Sequence, residues 1–106
     1  MKRITQKQAI FYQLYEHHKA GKKDLIPVFK FMGEVYCKEL GKWGFVSYEV
    51  GARMSEIFGE NPGMLKRSEV VGPSGAKYYA YRFADDVRIE LILDEKLRGF
   101  YRSIKK

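Results

Sequence analysis

FVSYEVGARMSEIFGENPGMLKRSEVVGPSGAKYYAYRF, residues 45–83, is the stretch that decides how the chain is read. It opens on a short strand-prone segment, Phe45-Val46, and Ser47 then stands where a helix N-cap belongs. Val50, Met54, Ile57 and Phe58 follow at helical spacing, which predicts a helix over residues 48–60 with those four side chains inward. Its other face carries Tyr48, Glu49, Arg53 and Glu56. Asn61-Pro62-Gly63 ends it, because proline cannot continue the ladder. Two strand-prone runs, Met64–Val71 and Ala76–Phe83, then flank the glycine-rich Gly72-Pro73-Ser74-Gly75 and predict a hairpin.

Upstream, Thr5 and Gln8 have capping-box spacing, and Ile10, Phe11, Leu14 and Tyr15 mark the inner face of a first helix. Asp24 is placed to cap a second helix, with Pro27 in its first turn. Val28, Phe29, Met32, Val35, Tyr36 and Leu40 supply its apolar face, and Cys37 lies on or near it. Gly41-Lys42-Trp43-Gly44 reads as a break, with Trp43 turned to the core. Downstream, Asp85 or Asp86 caps a final helix over residues 85–104, on which Ile89, Leu93, Leu97, Phe100 and Ile104 form one side. Acidic residues gather at its start and basic ones at its end, which complements a helix dipole.

The order of helix and hairpin resembles the winged helix-turn-helix family. Within it, Arg53-Met-Ser-Glu-Ile57 is similar to a recognition-helix core, and Ser74–Arg82 to a second wing strand. The nearest likeness is to small winged-helix proteins of phages, viruses and mobile elements. The fold class that the resemblance implies is α+β, mainly α. It has three helices, a β-hairpin wing and an extra C-terminal helix, in a single domain over residues 1–106 with its core at about 5–83. The implied function is sequence-specific binding of double-stranded DNA by a small transcriptional regulator. Helix 48–60 would enter the major groove and hairpin 64–83 would act as the wing.

On that reading Tyr48, Glu49 and Arg53 read the bases, Lys42, Lys66, Arg67 and Lys77 contact phosphates, and Ser47 at the start of the helix belongs to the same DNA-binding set. Helix 48–60 is itself net acidic, so much of the affinity must come from the hairpin. The C-terminal helix offers a homodimer interface. The alternative is a protein–protein interaction module on the same winged-helix fold.

The bulk composition agrees with a polyanionic partner. The formal charge is +7 over 106 residues, with eight Tyr, seven Phe and one Trp. One cysteine excludes an internal disulfide and suits a reducing compartment, so an intracellular, cytoplasmic protein is expected. No apolar run reaches membrane-span length and Met1–Gln6 lacks a signal core. The adjacent His17 and His18 point about 100° apart on a helix, which disfavours a metal site and leaves them on a solvated surface. The sequence holds no nucleophile elbow, zinc signature or Walker spacing. No enzymatic activity, metal or cofactor is expected.

Overall fold

The computed structural model describes residues 3–38, 41–60, 63–85, 87–91 and 101–105, the last two segments as backbone alone. Helix α1 spans Gln6–Lys19 and starts on the expected capping box. Thr5 Oγ1 accepts from the Gln8 amide at 3.1 Å and Gln8 Oε1 from the Thr5 amide at 2.7 Å. Each bond satisfies an amide that the first helical turn leaves without a partner. Ala9, Ile10, Tyr12 and Leu14 are buried on its inner side.

No second helix of a helix-turn-helix follows. The chain forms strand β1 (Ile26–Pro27), a single 3₁₀ turn (Val28–Phe31), strand β2 (Gly33–Cys37) and strand β3 (Lys42–Val46). Two physical causes displace the expected helix. Gly33 has φ of 116°, outside the helical region. Beyond it the chain alternates: Val35 and Cys37 turn inward while Glu34 and Tyr36 stay exposed. That is a period of two, not of 3.6. β2 and β3 pair antiparallel from Gly33↔Val46 to Cys37↔Lys42. Gly41, at φ 63°, turns the ribbon, and its amide donates to the Cys37 carbonyl at 2.8 Å.

Helix α2 spans Val50–Glu60, and the turn at Tyr48-Glu49 precedes it. Its buried residues are Val50, Met54 and Ile57, the face anticipated from spacing. The glycine-rich hairpin is also present, as strands β4 (Leu65–Val71) and β5 (Lys77–Phe83) in continuous register from Leu65↔Phe83 to Val71↔Lys77. It is not a free wing. β5 is the centre of a three-stranded sheet, with β1 on its other edge through Ile26↔Tyr81 and Pro27↔Ala80.

The expected C-terminal helix is replaced by strands β6 (Val87–Leu91) and β7 (Tyr101–Lys105), paired antiparallel from Val87↔Lys105 to Leu91↔Tyr101. Val87, Ile89 and Leu91 alternate with Arg88 and Glu90, and this two-residue period overrides the wider helical stripe. Leu93, Leu97 and Phe100 of that stripe, and the alternative cap Asp86, lie outside the described residues.

The described chain therefore has two α-helices, one three-stranded sheet and two separate two-stranded ribbons. This contradicts a mainly α winged helix-turn-helix, and with it the family resemblance and its phage or mobile-element association. One core runs from Ile4 to Ala84, drawing on α1, both ribbon strands, α2 and the sheet. Phe31, Tyr81, Phe83, Ile10, Leu14, Met54 and Ile57 are its largest fully buried side chains. The described residues include no buried polar or charged residue.

Candidate functional site: the outer face of the ribbon

Every position of the β2–β3 ribbon alternates between core and surface. Val35, Cys37, Gly44 and Val46 face inward. Gly44 is glycine because α1 and the segment before it press against β3. A Cβ there would sit 2.5 Å from Ile4 Cγ1 and 3.2 Å from Ala9 Cβ. The Ile4 amide donates to the Trp43 carbonyl at 3.1 Å and fixes that approach. With this side held against the core, the opposite side must face solvent.

That outer side carries Tyr36, Trp43 and Phe45, which are 45–50 % exposed. Tyr36 and Trp43 are directly opposed across the ribbon, with ring centroids 5.0 Å apart and planes at 52°. Phe45 is opposed to Glu34. The Glu34 carboxylate is neutralised by Arg3 at 2.6 Å. Lys38 lies exposed just past β2, whereas Lys42 opens β3 on the same side as Gly44 and Val46. Large rings kept half in water on a basic chain contrast with the apolar core beneath them. Trp43 was expected in the core. It points outward because Gly44 and Val46 take the inward positions of its strand.

The residues that the sequence singles out do not assemble into a DNA-reading surface. Arg53 is held between Glu56 of its own helix, at 2.8 Å, and Glu49 of the preceding turn, at 3.8 Å. Glu56 and Glu60 also bind Lys7 of α1, at 3.0 and 2.6 Å. Lys7 holds the Glu56 carboxyl below its ordinary range, so this face of α2 is acidic and already bonded within the protein. Ser47 serves the fold: its amide and hydroxyl both donate to Gln6 Oε1 at 3.1 Å, and its Oγ accepts from the Glu49 amide at 3.2 Å. Tyr48 is 83 % exposed in the turn before α2.

Lys66 and Lys77 reach Asp85 and Glu69, each at 3.7 Å. Arg67 lies against Phe58 and Tyr79. Without a preceding helix to orient α2, and with the hairpin built into a sheet, the recognition-helix and wing assignments fail. The double-stranded DNA partner and the transcriptional role lose their basis. The homodimer through a C-terminal helix and the interaction-module alternative on the same fold fall with that topology.

Asp85 anchors the hairpin to the α1–β1 loop. Arg82 and Lys23 each reach Oδ1 at 2.9 Å, and Arg82 first and Lys23 second hold its carboxyl far below the usual carboxylate range. His17 and His18 are half-buried, each engaged within the protein. His17 Nε2 donates to the Asp24 carbonyl at 2.7 Å, and the His18 ring meets Phe83 edge-on at 5.8 Å. Among the described residues no group of three His, Cys, Asp or Glu is arranged to hold a metal. Cys37 is fully buried, as anticipated, though on a strand.

A cleft of about 460 Å³ beside α1 is lined by Tyr12, Glu16, His17, Lys22, Ile26 and Val35. Glu16 Oε1 is buried there with no hydrogen-bond partner. No helix among the described residues is long and apolar enough to cross a membrane.

The helical spacing of apolar residues over Val28–Leu40 conceals the ribbon face in the sequence. The signal that finds it is the alternation Glu34-Val35-Tyr36-Cys37 followed by Trp43-Gly44-Phe45-Val46 around a glycine turn. In comparisons with known proteins, no family model, no curated protein and no solved structure matches this chain.

Proposed function

We propose that the chain is a non-catalytic single-stranded nucleic-acid-binding protein of the cell interior. It stacks unpaired bases on Tyr36, Trp43 and Phe45. The observation that carries this reading is the exposure of these three rings on one ribbon face of a chain with formal charge +7. Single strands present both what exposed rings attract and what excess cations attract: open π-faces and a phosphate at every step. A duplex hides its base faces in its own stack, so the rings gain little from it. Lys38 follows β2 exposed to solvent, and Arg3 cancels the one acid of the face, Glu34. The reduced, buried thiol of Cys37 suits an intracellular setting.

The test is fluorescence anisotropy of a labelled homopyrimidine single strand and of the corresponding duplex. The single strand should bind more tightly, with affinity falling as salt rises. Trp43→Ala should weaken it by roughly 5- to 150-fold, the equivalent of about 1–3 kcal/mol for one stacked base. Tyr36→Ala and Phe45→Ala should act in the same direction. Duplex binding as tight as single-strand binding, or indifference to all three substitutions, would overturn the reading and turn attention to a protein partner for this face.

A further inference from the structure

Arg67 differs from the other cations of the hairpin. Lys66, Lys77 and Arg82 each lie within ion-pair distance of a carboxylate, as do Arg3, Lys7, Lys23 and Arg53 elsewhere. Among the described residues no carboxylate lies within ion-pair distance of Arg67. Its guanidinium carbon stands 4.3 Å from the Phe58 ring centroid on α2 and 4.4 Å from that of Tyr79 on β5. Across the ladder it is opposed to Tyr81. Tyr81 is itself fixed: it is 2 % exposed, and its ring packs 6.2 Å from Phe58 and 6.3 Å from Tyr79. Burial pushes the Tyr81 phenol up, and the Arg67 guanidinium partly offsets this, so the hydroxyl stays protonated near neutral pH.

We propose that Arg67 is a preformed phosphate fork. A guanidinium held by rings uses its faces, which leaves in-plane N–H donors for a ligand. Two parallel in-plane donors match two oxygens of a phosphate group. Because the side chain is already immobilised by Phe58 and Tyr79, little rotamer freedom is lost when the anion arrives. A lysine at the same place would supply charge without the planar fork. The ligand is one phosphate group, either a backbone phosphate of a single strand or the phosphate of a free nucleotide. The site stands on its own geometry and does not depend on base stacking at the ribbon.

The experiment follows the Arg67 Nε–Hε resonance by NMR, identified by its loss in Arg67→Lys. The probes are inorganic phosphate, a nucleoside monophosphate and a single-stranded oligonucleotide, each compared with sodium chloride at equal ionic strength. The expected result is a saturable shift with inorganic phosphate that chloride does not reproduce. Tyr79→Leu keeps the arginine and removes one wall, and should weaken phosphate binding by about tenfold at unchanged charge. A shift reproduced by chloride, or phosphate affinity untouched in Tyr79→Leu, overturns the proposal. This second variant carries the test if Arg67→Lys unfolds. The oligonucleotide shifting the resonance well below the concentration needed of the monophosphate identifies the backbone source, and equal potency identifies the free nucleotide. In Trp43→Ala the response to inorganic phosphate should persist even where oligonucleotide binding is lost, so the two sites fail separately.

Discussion

Replacing Gly44 with alanine should destabilise the protein, whereas the same replacement at Gly51 should stabilise it. At Gly44 the new methyl would lie 2.5 Å from Ile4 Cγ1, 3.0 Å from Ile4 Cδ1 and 3.2 Å from Ala9 Cβ. Ile4 is a flexible side chain and can turn aside, but its amide is bonded to the Trp43 carbonyl. The Ala9 methyl has no torsion that would move it away from Gly44, so α1 itself must shift. Overpacking of this kind costs roughly 1–3 kcal/mol. Loss of glycine's freedom in the unfolded chain offsets about 0.4–1 kcal/mol of that. The net loss, up to about 2.6 kcal/mol and centred on about 1.3 kcal/mol, corresponds at its centre to a fall in Tm of roughly 5–10 °C for a domain near this size. At Gly51, on the exposed side of α2, a Cβ meets nothing within 4 Å. Helix propensity alone then gives a gain of about 0.5–1 kcal/mol. Urea unfolding of both variants beside the parent measures the two signs. A Gly44→Ala protein as stable as the parent would refute the packing of α1 against β3, and with it the reason the ribbon's aromatic face is turned outward.

Asp85→Asn should lower Tm at neutral pH and leave it unchanged in strong acid. The Asp85 carboxyl is depressed in the folded state by Arg82 and Lys23, so its stabilising contribution is complete above its ordinary value of 3.8. That contribution is lost as pH falls from there through the much lower folded value. Because the carboxylate is half-exposed, added salt should shrink the difference; thermal melts across pH, with and without salt, check both statements. Arg53→Ala should leave nucleic-acid affinity within about twofold of the parent, because Arg53 is bonded to Glu56 and Glu49 and lies outside the ribbon. A large loss in the anisotropy assay would restore a binding role to α2.

Local chemistry made part of the fold readable. The Thr5–Gln8 box, the i, i+4, i+7 spacing of Val50, Met54 and Ile57, and the glycine turn at 72–75 each act within a few residues. Their elements appear where these signals put them. Two segments were misassigned where apolar residues fit both periods. Val28, Met32, Val35 and Tyr36 suit a helical stripe, but Gly33 cannot be in that helix at φ 116° and Val35 and Cys37 share an inner strand face. At the C-terminal end, Val87, Ile89 and Leu91 admit a strand as readily as a helix, and pairing with Tyr101–Lys105 decides it.

The candidate site was hidden for the same reason, since Tyr36 and Trp43 meet only once β2 and β3 pair. The fate of the charges was partly legible. The competition of Glu49 and Glu56 for Arg53 follows from one-turn spacing, but the bonds from Lys7 to Glu56 and Glu60 depend on α1 lying beside α2. Arg67 shows the limit most plainly. Nothing local to Lys66-Arg67-Ser68 distinguishes it from its lysine neighbour until α2 and β5 bring up Phe58 and Tyr79.

Trp43 is the only tryptophan in the chain and half of it is exposed at the centre of the proposed surface. Its emission therefore reports the site with no label. Titration with an unlabelled homopyrimidine single strand should quench Trp43 saturably as a base stacks on the indole, and the matching duplex should quench it far less. Emission that stays unchanged while anisotropy shows the strand to be bound would place binding elsewhere. Equal quenching by the duplex would contradict recognition of unstacked bases.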